Sequence, residues 1–175
     1  MPDDDTILVT ERMRLRPFRF DDLEGLWAIQ RDPEAMRWYP HPFSREESET
    51  WIRRNLDRYE RDGHGAWAVE LVEDGRFAGS CGLTIQQVDG DTEVEAGWMF
   101  DRALWNLGLA TEAGRACRDL AFGPMGRTRL ISLVRPENAA SCRVAEKLGM
   151  TVERETTHAE LRHFVYAMTP AHVAD

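Results

Sequence analysis

The chain has 175 residues, 42% hydrophobic and 30% charged, which suits one packed domain spanning residues 1–175 and leaves too little for two independent cores. A formal charge of −9 excludes a general basic surface for nucleic acid and favours amine-bearing partners. Cys81, Cys117 and Cys142 and the five histidines lack disulfide, metal or triad spacing, and the acidic Met1-Pro2-Asp3-Asp4-Asp5 start is unlike a secretion signal. No metal, no membrane partner and a cytoplasmic location are therefore expected, since no apolar run approaches a membrane span.

In chain order, Met13 and Leu15 alternate with Arg14 and Arg16, which predicts a strand somewhere within 7–18. Asp21 and Glu24 form a capping-box pattern ahead of a helical face of Leu23, Leu26, Trp27 and Gln30, ending before Asp32-Pro33. Ser44 and Glu47 repeat the box, and Trp51, Ile52, Leu56 and Tyr59 carry a second helix to a stop at Gly63. Between the two helices, Trp38-Tyr39-Pro40-His41-Pro42-Phe43 is stiffened by its prolines. Its aromatics either wall an acceptor slot or pack beneath the loop.

The period then changes. Trp67, Val69 and Leu71 share a strand face, Asp74-Gly75 makes a tight turn, and residues 77–85 return. A third strand covers 92–100, with Glu93, Glu95, Gly97 and Met99 on one side. Leu109, Ala113, Cys117 and Leu120 give a helical stripe ended by Gly123-Pro124, and 130–135 is an apolar strand. Asn138 can cap a helix that runs to Gly149, and 164–168 forms a last strand whose edge could pair or swap between subunits, leaving monomer and homodimer open. The order predicts a mixed α/β (α+β) fold, with a mixed sheet and helices on both faces.

The most informative stretch is Trp105-Asn106-Leu107-Gly108-Leu109-Ala110-Thr111-Glu112-Ala113. Small residues at Gly108 and Ala110 let first-turn N–H groups point at an anion, as a phosphate cradle does, whereas a plain strand-to-helix connection is the simpler alternative. A second segment, Pro136-Glu137-Asn138-Ala139-Ala140-Ser141-Cys142-Arg143-Val144-Ala145-Glu146-Lys147-Leu148-Gly149-Met150, accompanies it. With Thr10-Glu11-Arg12-Met13-Arg14-Leu15-Arg16-Pro17 and Asp32-Pro33-Glu34-Ala35-Met36-Arg37, these segments resemble the GCN5-related N-acetyltransferase superfamily. The likeness is to its branch of ribosomal-protein N-terminal acetyltransferases.

That resemblance implies a mostly antiparallel twisted sheet of about seven strands, with a V-shaped split between two parallel strands near Glu95 to Phe100 and Leu130 to Arg135. It also implies acetyl transfer from acetyl-CoA to a primary amine, either a protein N-terminus or a small molecule. The carrier's pyrophosphate would lie on Trp105, Asn106, Leu107, Gly108, Leu109, Ala110 and Thr111, with its arm along the backbone of Trp98, Met99 and Phe100. Asn138 and Arg143 would add contacts.

Trp105 and Asn106 depart from the superfamily's commonest pattern, and Asn is among the residues that tolerate left-handed backbone. Glu95, if partly desolvated, would accept a proton from an ammonium acceptor, although a strand Glu can equally be solvated or ion-paired. Ser141 stands where the branch places a proton donor for the leaving thiolate. Ala145 occupies the position of the tyrosine that many members use, which excludes that route.

Cys142 has no flanking His to activate it, so an acyl-cysteine intermediate is rejected. Trp38, Tyr39 and Phe43, with a rim from His158 to His163, are the acceptor-binding candidates. Transfer of a longer acyl group would depend on the depth near Leu83, Met99 and Leu133. The alternative to an enzyme is an acyl-CoA-binding sensor or structural module without turnover.

Overall fold

The computed structural model of the chain describes residues 5–173, so residues 1–4 of the acidic N-terminal stretch lie outside the described part. Eight strands form one sheet: β1 (Leu8–Val9), β2 (Met13–Arg16), β3 (Ala66–Leu71), β4 (Phe77–Val88), β5 (Asp91–Phe100), β6 (Leu130–Val134), β7 (Thr151–His158) and β8 (Leu161–Met168). Their order is β1-β2-β3-β4-β5-β6-β8-β7. Neighbours are antiparallel except β5 and β6.

The eight strands agree with the expected sheet of about seven, and two of them come from 7–18. The stretch 7–18 is a hairpin, because the Thr10 N–H bonds the Met13 carbonyl at 2.8 Å and the Thr10 hydroxyl accepts from the Met13 N–H at 3.1 Å. A correction concerns 164–168. This segment lies inside β8 between β6 and β7, so it offers no free edge for pairing or swapping.

Helix α1 (Leu23–Gln30) follows a 3₁₀ turn at Phe20–Asp22, and the expected Asp21/Glu24 box is not formed. Asp22 takes that duty one turn earlier by accepting from the Arg19 N–H at 2.7 Å, while the buried Arg16 guanidinium holds both its oxygens at 2.8 and 2.9 Å. The box of α2 (Arg45–Asp62) is formed as predicted: Ser44 and Glu47 bond reciprocally and Gly63, at φ 77°, ends the helix.

The sheet's alternation divides the core. On one face Met13, Leu15, Trp67, Val69 and Leu83 pack against α3 (Leu109–Phe122) and α4 (Ala139–Lys147) through Ala113, Cys117 and Ala145. On the other, Phe18 and Ala68 meet Leu23, Leu26 and Ile52 of α1 and α2, with Phe18 edge-on to Trp51 at 5.1 Å. No helix of the described residues is long and apolar enough to cross a membrane.

The functional consequence of this topology lies between β5 and β6. Only one register pair, Glu95 with Ile131, joins these parallel strands. Beyond it they diverge, and side chains replace the missing ladder. The buried Ser132 hydroxyl donates to the Ala96 carbonyl at 2.7 Å, and the Leu133 N–H donates to Glu95 Oε2 at 3.2 Å.

Candidate active site

The split opens into a cavity of about 810 Å³ lined from both strands, from the starts of α3 and α4, and from the loop between α1 and α2. Gly97 faces it with nothing within 4 Å of where a Cβ would sit. Trp98, Met99 and Phe100 line it along β5, and Trp105, Asn106, Gly108, Leu109, Ala110 and Thr111 line the α3 end.

The α3 start has the features of an anion cradle. Asn106 and Gly108 sit at φ 63° and 80°, so the chain turns twice through left-handed geometry before the helix begins, and at Gly108 a Cβ would be strained. No side chain caps the helix, so its first-turn N–H groups lack protein side-chain partners. Arg143 and Lys147 of α4 bring cationic side chains to the same cavity, against the chain's overall negative charge. These groups suit a diphosphate end, and the open β5 edge suits an amide-bearing arm.

The cradle is braced from behind by residues whose role the sequence did not show. The Arg12 backbone N–H and Nε donate to the two oxygens of Glu112 at 2.9 and 2.6 Å, Thr10 donates to Glu112 Oε1 at 2.7 Å, and Arg12 Nη1 donates to the Leu107 carbonyl at 2.8 Å. The hairpin turn thus grips both the loop and the first turn of α3. The spacing of Thr10, Arg12 and Glu112 carried no signal of contact, because about a hundred residues separate them. Leu107 corrects the sequence expectation: it is absent from the cavity lining and its side chain is 54% exposed, with its carbonyl turned to Arg12.

Glu95 sits on the cavity wall where β5 and β6 part. Burial pushes its carboxyl up to about 7, opposed by hydrogen bonds from the Leu133 N–H and from Gln86 Nε2 at 3.3 Å, and by the more distant Arg58 charge. Glu93, on the same side of β5, is occupied otherwise. Both its oxygens accept from Arg129 Nε at 3.0 Å, and Arg129 also binds Glu153.

Ser141 lies in the first turn of α4, where the Asn138 side chain accepts from its N–H at 3.2 Å as the expected cap. Its Oγ accepts from the Trp98 indole N–H at 3.3 Å, which leaves the hydroxyl proton free to be donated. Cys142 is absent from the lining and its thiol points to the Arg135 carbonyl at 3.9 Å.

Of the acceptor candidates, Trp38 and Tyr39 line the cavity and Phe43 does not. Phe43 stands behind Tyr39, ring centroids 6.4 Å apart, because its backbone N–H is drawn to the Gln30 carbonyl at 2.8 Å. His158 and His163 of the β7–β8 hairpin complete the rim. The cavity also takes in Arg135 and Glu137, which the sequence had not singled out as acceptor groups.

Comparison with known proteins identifies the family. Residues 12–151 match the model of the Acetyltransferase (GNAT) domain. The uncharacterized protein YkkB of Bacillus subtilis is 37% identical over 83% of this chain and 85% of its own. A spermidine N(1)-acetyltransferase of Escherichia coli is 28% identical over 83% of this chain and 76% of its own. The crystal structure of an acetyltransferase from Agrobacterium tumefaciens superimposes with a TM-score of 0.81 at 28% identity, covering 92% of each chain. The chain therefore belongs to the GNAT acetyltransferase family and is an acetyl-CoA-dependent acyltransferase.

Proposed function

We propose that the protein acetylates a primary amine by direct attack in a ternary complex, with Glu95 as the proton acceptor. The observation that carries this reading is the placement of a desolvated carboxyl, titrating near neutrality, at the fork of the split sheet. Bound acetyl-CoA supplies a thioester carbonyl open to a neutral amine. Glu95 takes the proton of the arriving ammonium, directly or through water, and its raised affinity for that proton matches it to work near neutral pH.

The N–H groups from Gly108 to Thr111 hold the phosphates, and Arg143 adds a charge-assisted contact. Along the open β5 edge, main-chain groups of Trp98 to Phe100 would align the arm, and an N–H there would polarise the thioester carbonyl. Ser141 would donate to the departing sulfur and regain its proton from the nitrogen, which sheds a second one as the amide forms. Trp38 and Tyr39 wall the slot through which the amine enters. The spermidine acetylation named for the E. coli relative supports an amine acceptor.

Free thiol release from acetyl-CoA, followed across a panel of amines, tests the reading. Release is expected with at least one amine class and is expected to fall at least 100-fold when Glu95→Gln and Ser141→Ala are combined, with coenzyme A still bound. Tight coenzyme A binding without release for any amine would identify a carrier-binding module instead.

A further inference from the structure

The charged groups of the acceptor half of the cavity are Glu34, Arg37, Glu95, Arg135 and Glu137. Two of them satisfy each other: Arg37 Nη1 donates to Glu34 Oε1 at 3.2 Å, and the Arg37 guanidinium lies 4.8 Å over the Trp38 ring. Arg135 is placed differently. Its side chain is only 22% exposed, yet among the described residues its one side-chain hydrogen bond is a long one, from Nη1 to the Trp38 carbonyl at 3.4 Å.

The facing Glu137 carboxylate stands 3.7 Å from Arg135 Nη2, beyond hydrogen-bond distance, and Arg135 Nε is buried without a partner. A guanidinium carries five N–H donors in a rigid fork matched to a carboxylate. Here the buried Nε–H has no partner and Nη2 reaches no carboxylate within hydrogen-bond distance, so the fork has donors left for a ligand anion.

Position along the strand sets what anion fits. Arg135 follows β6 two residues after Leu133, the residue whose N–H is bound by Glu95. At the rise of an extended chain, the two Cα atoms are about 7 Å apart. A proton acceptor and an under-used guanidinium thus line the same cavity.

We propose that the acceptor is a zwitterionic monoamine, an amino acid or a related amino carboxylate, whose amine meets Glu95 while its carboxylate lies on the Arg135 fork. This rests on the acetyltransferase reading above. The charge pattern argues against a polyamine. Arg37 is taken up by Glu34, so the free donors of Arg135 are the cationic feature a second positive charge on the acceptor would meet.

The test uses the whole protein, acetyl-CoA and matched acceptors: free amino acids, their carboxamides, the corresponding decarboxylated amines, and spermidine. The free acids are expected to give a kcat/KM about 30-fold or more above their carboxamides. Arg135→Gln is expected to collapse that ratio to within about 3-fold, mainly through KM, and Arg135→Lys to give an intermediate ratio because it keeps the charge and loses the fork. Coenzyme A binding by calorimetry reports that each variant is folded. Carboxamides, decarboxylated amines or spermidine serving as well as the free acids, or an unchanged ratio in Arg135→Gln, overturns the proposal while leaving acetyl transfer intact. Coenzyme A binding with no transfer to any amine overturns the acetyltransferase reading, and this proposal with it.

Discussion

Glu95 shows how one burial sets both an activity and a cost. Its folded-state proton affinity is raised to about 7 from an ordinary carboxyl value of 4.5, so the folded state binds more protons than the unfolded one between those limits. The associated stability is fully present below the lower value and is lost as pH rises through the upper one. At pH 8 the deficit is on the order of 3 kcal/mol. Glu95→Gln is therefore expected to melt at a higher temperature than the native protein at pH 8, with the gap closing at pH 4. The same change should lower kcat/KM by about 10²–10⁴-fold and abolish the acidic limb, of apparent pKa near 7, in the pH–rate profile. Equal melting temperatures at pH 8, or a surviving limb, would remove Glu95 from the role.

Among elements, α3 and the β1–β2 hairpin act as a unit. The Arg12–Glu112 pair is 45% and 20% exposed at its two side chains, so its direct contribution to stability is on the order of 1 kcal/mol or less. Its larger effect is on shape, since Arg12 also holds the Leu107 carbonyl one residue before the left-handed Gly108. Arg12→Ala is expected to raise KM for acetyl-CoA about 10-fold with kcat within about 2-fold, and Glu112→Gln to act in the same direction and less than additively with it. An unmoved KM accompanied by a lowered melting temperature would reduce the latch to ordinary surface packing.

At the scale of the whole molecule, the site exists because a sheet stops zipping. Pairing Glu95 with Ile131 anchors the fork, and the Ser132–Ala96 bond keeps the strands from separating sooner. Ser132 is 1% exposed, so Ser132→Ala leaves a carbonyl short of a partner in the interior and is expected to cost about 1–3 kcal/mol. Scanning calorimetry should read this as a fall of about 2–8 °C, with acetyl transfer retained at temperatures where the variant is folded. A wild-type melting temperature would show that the fork is held by the backbone alone.

Local signals were legible wherever the physics is local. The Ser44–Glu47 box, the Gly63 stop, the Asn138 cap and the left-handed tolerance of Asn106 all depend on atoms a few residues apart, and all four took the predicted form. The Asp21/Glu24 box failed for a nonlocal reason, because Arg16 and Arg19 recruit Asp22 instead. Phe43 and Leu107 likewise left the site because distant partners at Gln30 and Arg12 orient their backbone.

Periodicity and capping chemistry by themselves determined most of the elements and the two helix starts that face the cavity, while the family resemblance singled out the carboxyl on its wall; the β1–β2 hairpin and β7 were not legible. Only the tertiary structure decided that Glu95 is desolvated and Glu93 is not available, that Thr10 and Arg12 brace the loop at Leu107, and that Arg135 faces the same cavity under-partnered. A side chain's alternation follows from its own strand, whereas its solvent, its counter-ion and its proton affinity are set by residues that the fold brings from elsewhere in the chain.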